Sequence, residues 1–306
     1  MVAALFLSGS MQALQHRNQV FEMIKLLSDF NHFDIPQRLE IVERNIKNVL
    51  KIINYGTYLW AYFIAYLTLL DDNCATFKTT KHCLLLEYYF PFNLKPWSMT
   101  LIILFQTFIM RIVLTIIFVT VVMYCYSLEL LIIRIEKLNQ MMDDITLTKN
   151  KERNFRILQP IITYHQEIFR MFQFSNKVHI KLVVPQKLLG VCVSIISTTS
   201  FLLRKDITSF TVGVTTWFGL FLSHTFGQKM TTAGNNVANV VYNLNWYDAD
   251  VVTRKQVLTL LCLSQQPLTI RVPLFGEMSY TASANELKKS YLFINSLVTI
   301  IKKKFF

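Results

Sequence analysis

The chain has 306 residues, 53% of them hydrophobic and only 16% charged, with a mean hydropathy of +0.37. A soluble domain carries roughly 25% charged residues, so this composition excludes an ordinary globular domain. The net charge of +12 does not indicate a nucleic-acid binder, which gathers its charge on a soluble face. Here the charges fall between apolar blocks, as in a helical protein that crosses a membrane several times.

With eight Gly and seven Pro, the chain is neither turn-rich like a β-protein nor disordered. Five Cys are too few for a disulfide framework. Cys125 and Cys192 lie within apolar runs and read as packing residues. Cys74 and Cys83 share one loop, where closeness alone decides nothing about pairing.

The first block, residues 1–14, is apolar but too short to span about 30 Å of hydrocarbon. It reads either as an apolar start or as the remnant of a span, and we expect the second. Residues 15–50 are mixed in charge and helical in pattern. Residues 51–70 form a span, with Ile52 to Leu70 uncharged and aromatic throughout. A loop over 71–98 leads to a second span at 99–128, interrupted only by Arg111.

Residues 129–181 continue from that span as a long helical segment rich in both charges. Spans follow at 182–204, where snorkelling of Lys187 extends the uncharged stretch, and at 207–228, which lacks Lys, Arg, Asp and Glu. Residues 229–284 repeat the mixed-charge helical character, and 285–301 form the last helix. Its apolar part, Ser290 to Ile301, is only twelve residues between lysine clusters. It either lines a pore, where water meets one face, or lies along the membrane interface.

Lys plus Arg number 5 in 15–50, 9 in 129–181 and 4 in 229–271. The alternate segments carry 3 in 71–98, 2 at Arg204-Lys205 and 3 in the tail. By total count the first set is cytoplasmic. By density the two sets are not separated.

No phosphate loop, GxSxG elbow, HExxH or CxxC pair occurs, so we expect no enzyme and no cofactor. His165 and His179 share a helix face without a third ligand, which is no metal site. His224 reads as a hydrogen-bonded packing residue, and the acids at 71–72 and 143–144 as solvated. A lone charge such as Arg111 costs roughly 2.5–3.5 kcal/mol at mid-membrane. Either it faces a cavity, pore or polar partner, or the span is shifted so that Arg111 nears an interface.

The last third carries a resemblance. Tyr242-Asn-Leu-Asn-Trp246-Tyr247, the basic pair Arg254-Lys255, the run LTLLCLSQQPLTI, Phe275 and Lys289-Ser290-Tyr291 together resemble the C-terminal signature of insect odorant receptors. Tyr89-Phe-Pro91-Phe92 with Trp97 is similar to the loop before the fourth family helix. His165-Gln-Glu-Ile168 with Asn176 and Gln186 is similar to the run into the fifth. The match covers about residues 39 to 301.

The resemblance implies an all-α integral membrane protein with seven helices, of which about five complete spans are present here, and a cytoplasmic anchor bundle. It further implies a plasma-membrane receptor of olfactory sensory neurons, with the N-terminus cytoplasmic and the C-terminus extracellular. Such a chain would be the odorant-binding subunit of a non-selective cation channel, assembled with a co-receptor subunit as a heterotetramer. Its partners would be a volatile odorant, the co-receptor and membrane lipid, and no nucleic acid.

Under that placement, the last helix lines the pore with Ile294, Leu297 and Val298, and Tyr242, Trp246 and Tyr247 belong to the subunit anchor. Apolar and aromatic side chains suit a volatile ligand, which nominates Tyr58, Tyr62, Phe63, Tyr66, Phe105 and Phe108. There are departures. Part of the family's outer pocket lies in helices missing here, and the usual Ser-Tyr-Ser reads Ser290-Tyr291-Leu292. Lack of a terminal Gln-Phe separates the chain from gustatory-type channels. A seven-helix receptor with a soluble partner would need the opposite orientation, and a transporter would show internal repeats.

Overall fold

A computed structural model of the chain describes residues 15–30, 35–36, 38–70, 96–204 and 207–305. The expected block at 1–14, most of the 71–98 loop, and Cys74 with Cys83 lie outside them. The described residues form seven α-helices: α1 (Arg17–Ser28), α2 (Leu39–Leu70), α3 (Pro96–Asp143), α4 (Lys151–Arg204), α5 (Ile207–Tyr242), α6 (Val251–Ser264) and α7 (Tyr280–Phe305).

Length sets the architecture. At 1.5 Å per residue, the 48 residues of α3 and 54 of α4 reach roughly 72 and 81 Å. A bilayer with its headgroups is only about 40–45 Å thick. Both helices are long and apolar enough to cross it, and each must project well beyond. α5 likewise continues past residue 228 to Tyr242, and α7 begins at Tyr280, ahead of the expected 285.

Burial divides the long helices in two. Leu128, Leu130, Leu131, Ile135 and Leu138 of α3 are fully buried, together with Tyr164 of α4 and Met23 and Leu27 of α1. The dry core therefore lies in the projecting part. The stretches assigned to spans turn large apolar residues outward, among them Leu104 on α3 and Phe210, Val214 and Phe218 on α5. Such faces need lipid or another chain as their solvent.

Arg134 is the largest fully buried side chain among the described residues. Its Nη2 donates to the carbonyls of Leu27 (2.9 Å) and Asp29 (2.6 Å), and its Nε to Leu27 (3.2 Å). These are carbonyls at the C-terminal end of α1, where a cation also meets the negative end of the helix dipole. Phe30 covers the guanidinium at 4.1 Å, so α1 is pinned to α3.

A second polar joint closes the α3–α4 turn onto the segment before α6. Asn245 brackets Leu147, accepting from its N–H (2.8 Å) and donating to its carbonyl (2.9 Å). Asp250 caps α6 by accepting from Val252 and Thr253 N–H. Asn154, fully buried, donates to Thr253 Oγ1. Arg254, from the basic pair, donates to the carbonyls of Tyr247 and Ala249.

One short non-helical feature lies between α6 and α7. Arg271–Val272 and Gly276–Glu277 pair as a short antiparallel hairpin. Its turn closes from Phe275 N–H to Val272 carbonyl at 3.1 Å. Leu274 sits at φ 73°, where this type of turn prefers Gly. The hairpin feeds directly into α7.

Candidate functional site

Between α3, α4 and α5 lies a cavity of about 100 Å3, walled by Ile117, Val121 and Tyr124, by Gly190, by Thr216 and Leu220, and closed by Met278. Gly190 sets the distance between α4 and α5: a Cβ there would meet Leu220 Cδ2 at 3.2 Å. The wall is mainly apolar. Several of its polar groups are occupied within the chain. Thr120 donates to Ile116, Thr215 to Thr211, Thr216 to Val212, and Ser223 to Gly219, all to carbonyls one turn back. Gln186 Nε2 donates to Ile117 carbonyl.

Lys187 lines the same cavity and leads out of it. Its side chain is 2% exposed, and Nζ lies 2.6 Å from Glu286 Oε1 on α7. Nζ is also 3.1 Å from His224 Nε2 on α5 and 3.5 Å from Met278 Sδ, with the ring of Phe275 at 4.7 Å. His224 Nδ1 lies 2.8 Å from Leu220 carbonyl. A carbonyl only accepts, so Nδ1 carries a proton, and Nε2 lies between Lys187 Nζ and, at 3.5 Å, Glu286 Oε2. The ammonium thus pairs with Glu286 and contacts His224 and Met278, groups from three different segments. This buried clasp joins the cavity wall to the last helix.

The expected snorkelling of Lys187 is corrected by this geometry. A carboxylate within 2.6 Å supplies what the interface would have supplied. His224 is hydrogen-bonded as expected, but within an ionic cluster.

The six expected ligand residues do not wall this cavity. Tyr58, Tyr62, Phe63 and Tyr66 lie on an open face of α2, and Phe105 and Phe108 on an open face of α3. Tyr58 stacks with Tyr62 at 6.4 Å between centroids, and the Arg111 guanidinium sits 3.1 Å above the Tyr58 ring. Arg111 Nη2 also reaches Asn54 Oδ1 at 3.4 Å. Arg111 thus has polar and aromatic neighbours on α2.

The expected pore residues lie on one side of α7. Ile294 is 6% exposed and Leu297 and Val298 are half-buried, on the face α7 turns toward its own chain. A residue that rings a shared axis must lie on a face its own subunit leaves open. That face of α7 carries Tyr291, Leu292, Asn295, Ser296 and Thr299. Of the residues expected in an anchor, Tyr242 and Tyr247 are exposed, whereas Trp246 packs on the core and donates to Tyr242 carbonyl.

His179 joins the projecting bundle to the end of the α3 span, with Nε2 at 2.9 Å from both Ser127 and Ser175 hydroxyls. Burial pushes its pKa down to about 3, so the ring is neutral at any physiological pH. Asp250 is held below the ordinary carboxylate range, first by the Thr253 hydroxyl.

Comparison with known proteins agrees with this architecture. A profile of the 7tm odorant receptor family matches residues 3–291. The chain is 35% identical over 83 residues to odorant receptor 22c of Drosophila melanogaster, a stretch covering 27% of this chain and 19% of that protein. Alignments with the curated relatives span only about a fifth of their length. The fold is similar to the insect olfactory receptor OR5 of Machilis hrabei, with a TM-score of 0.72 over 98% of this chain and 80% of that one, at 12% identity. The same receptor in complex with eugenol gives 0.73 over 97% and 79%, at 13% identity.

Proposed function

We propose, from the premise that the chain belongs to the 7tm odorant receptor family, that it is the odorant-binding subunit of a ligand-gated cation channel. In this reading it sits in the plasma membrane of olfactory sensory neurons with its N-terminus inside and C-terminus outside, and assembles with a co-receptor subunit. A volatile ligand enters the α3–α4–α5 cavity, and the open face of α7 contributes to the pore.

The observation that carries the reading is the clasp of Lys187, which is at once part of the cavity wall and paired with Glu286 on α7. A ligand that fits the cavity in one arrangement of α4 and α5 better than in another changes the anchorage of α7. It shifts the closed–open equilibrium only by that difference in affinity. The complex of the Machilis receptor with eugenol supports a small, mostly apolar ligand as the class. Exposed Tyr242 and Tyr247 on the projecting bundle suit contact with a neighbouring subunit.

A cavity-filling substitution tests the ligand's place. Thr216→Phe should raise the half-maximal odorant concentration at least about tenfold, the loss of roughly 1.4 kcal/mol of binding, with surface expression retained. Unchanged responses would move the ligand elsewhere, the aromatic face of Tyr58, Tyr62 and Phe105 being the next candidate.

A further inference from the structure

One face of α2 changes character along its length. Lys47, Lys51, Asn54, Tyr58 and Tyr62 recur at steps of three and four residues, which puts them on one stripe. All five are exposed. The charges end at Lys51, and the uncharged run begins at Ile52. Along the stripe, cations thus give way to an amide and then to phenols.

α3 brings a third cation to the same place. Arg111 Nη2 lies 3.4 Å from Asn54 Oδ1, and the guanidinium covers the Tyr58 ring at 3.1 Å. At 1.5 Å per residue, Asn54 and Tyr58 stand about 3 and 9 Å beyond Ile52. The head of Arg111 is therefore held close to the step from charged to apolar residues, although its own helix is apolar on both sides. Among the described residues, no carboxylate pairs with Lys47, Lys51 or Arg111, and Glu129 and Glu136 of α3 are both taken by Arg38. A guanidinium at the edge of hydrocarbon without a counter-charge is costly, and the two lysines repel it. An anion offsets both effects.

We propose that this face of α2 seats an anionic phospholipid, its phosphate against Arg111, Lys51 and Lys47 and its acyl chains along Tyr62 and the apolar run beyond. The chemistry along the stripe follows the order of the lipid itself, from charge through a polar, aromatic step to hydrocarbon. Phenols suit that middle level, where one end of the side chain meets water and the rest meets apolar surface. A guanidinium fork matches two phosphate oxygens at once, and the lysines add point charges from the aqueous side. Depth agrees as well. Lys51 and Lys47 stand about 2 and 8 Å outside Ile52, which brackets a headgroup layer about 5–7 Å thick. The site is separate from the odorant cavity and holds whichever way the chain faces.

The test is native mass spectrometry of the purified full chain in neutral detergent, with dioleoyl phosphatidylglycerol and dioleoyl phosphatidylcholine offered at equal concentration. At about fivefold per cation, the parent should retain the anionic lipid about a hundredfold better. Lys47→Gln with Lys51→Gln should reduce that preference to about fivefold, and adding Arg111→Met should abolish it. Lys288→Gln with Lys289→Gln, exposed cations on α7, should leave it at the parental value. Both lysines of the α2 stripe are exposed, so their double variant decides the matter even where Arg111→Met fails to fold.

Equal retention of the two lipids by the parent overturns the proposal. So does a preference that survives in the lysine double variant, or one that falls equally when Lys288 and Lys289 are replaced. Glycerol phosphate displacing the lipid at equal concentration would make the site one for free phosphate and would also overturn it. A second copy of the chain held on this face, seen as a dimer that the lysine double variant loses, has the same consequence.

Discussion

Removing one partner of the Lys187–Glu286 clasp should alter gating, and the geometry says by how much. At 2.6 Å and an effective dielectric of about 20, the attraction is about 6 kcal/mol before desolvation. Breaking a buried pair from one side costs about 3–5 kcal/mol, because the survivor is left buried and unpaired. If the clasp holds in only one gating state, even a third of this cost, about 1.4 kcal/mol, changes the open–closed ratio tenfold. Glu286→Gln and Lys187→Met should each shift the half-maximal odorant concentration at least tenfold and change the current without ligand in the same direction. The double variant Lys187→Met with Glu286→Leu removes both charges and should recover much of the loss, since an apolar pair of similar volume is close to neutral. Concentration–response recordings at matched surface expression decide it. Single variants with parental sensitivity and parental leak would refute the coupling, as would a double variant whose loss equals the sum of the singles.

Arg134→Met removes three hydrogen bonds at the end of α1 and should cost about 3 kcal/mol or more, read as a lowered melting temperature in detergent. Gly227→Ala would bring a Cβ to 2.5 Å from Met278 carbonyl oxygen, backbone that cannot yield, and should destabilise by about 1–3 kcal/mol. By contrast, Gly56→Ala meets nothing within 4 Å among the described residues and should be neutral or stabilising by up to about 1 kcal/mol. Leu274→Gly relieves a left-handed φ of 73° and should stabilise the hairpin by up to about 1 kcal/mol. His179 titrates in the unfolded chain near 6.5 but near 3 when folded. Stability from it is full above pH 6.5 and declines as pH falls toward 3, where the unfolded chain takes a proton the folded one refuses. His179→Gln should flatten that part of the pH–melting profile.

The long apolar stretches were visible in the sequence because lipid tolerates few charges, and a 30-residue run with one Arg suits little besides a membrane span. The residues around Trp246 stood out through their family resemblance, yet nothing in the sequence said what they do. Asn245, Asp250 and Arg254 act by gripping backbone carbonyls and N–H groups of other segments, and such partners have no signature of their own. The site was harder still. Tyr124, Lys187, His224 and Glu286 are spread over 163 residues and come near one another only when α3, α4, α5 and α7 pack. Their one local sign was a Lys and a His at the edges of apolar runs. Aromatic richness pointed instead to Tyr58, Tyr62 and Phe105, residues the described chain leaves on an open face. The hairpin escaped because two-residue strands carry no alternation to read.

The most direct test of the channel reading is whole-cell recording from cells expressing the chain with and without a co-receptor subunit, under a broad panel of volatiles. The expected result is a non-selective cation current that requires both subunits, reverses near zero millivolts in mixed sodium and potassium, and changes its ion selectivity when Ser296 or Thr299 on the open face of α7 is replaced. Confirmed surface delivery of both subunits with no evoked current across the panel would contradict it.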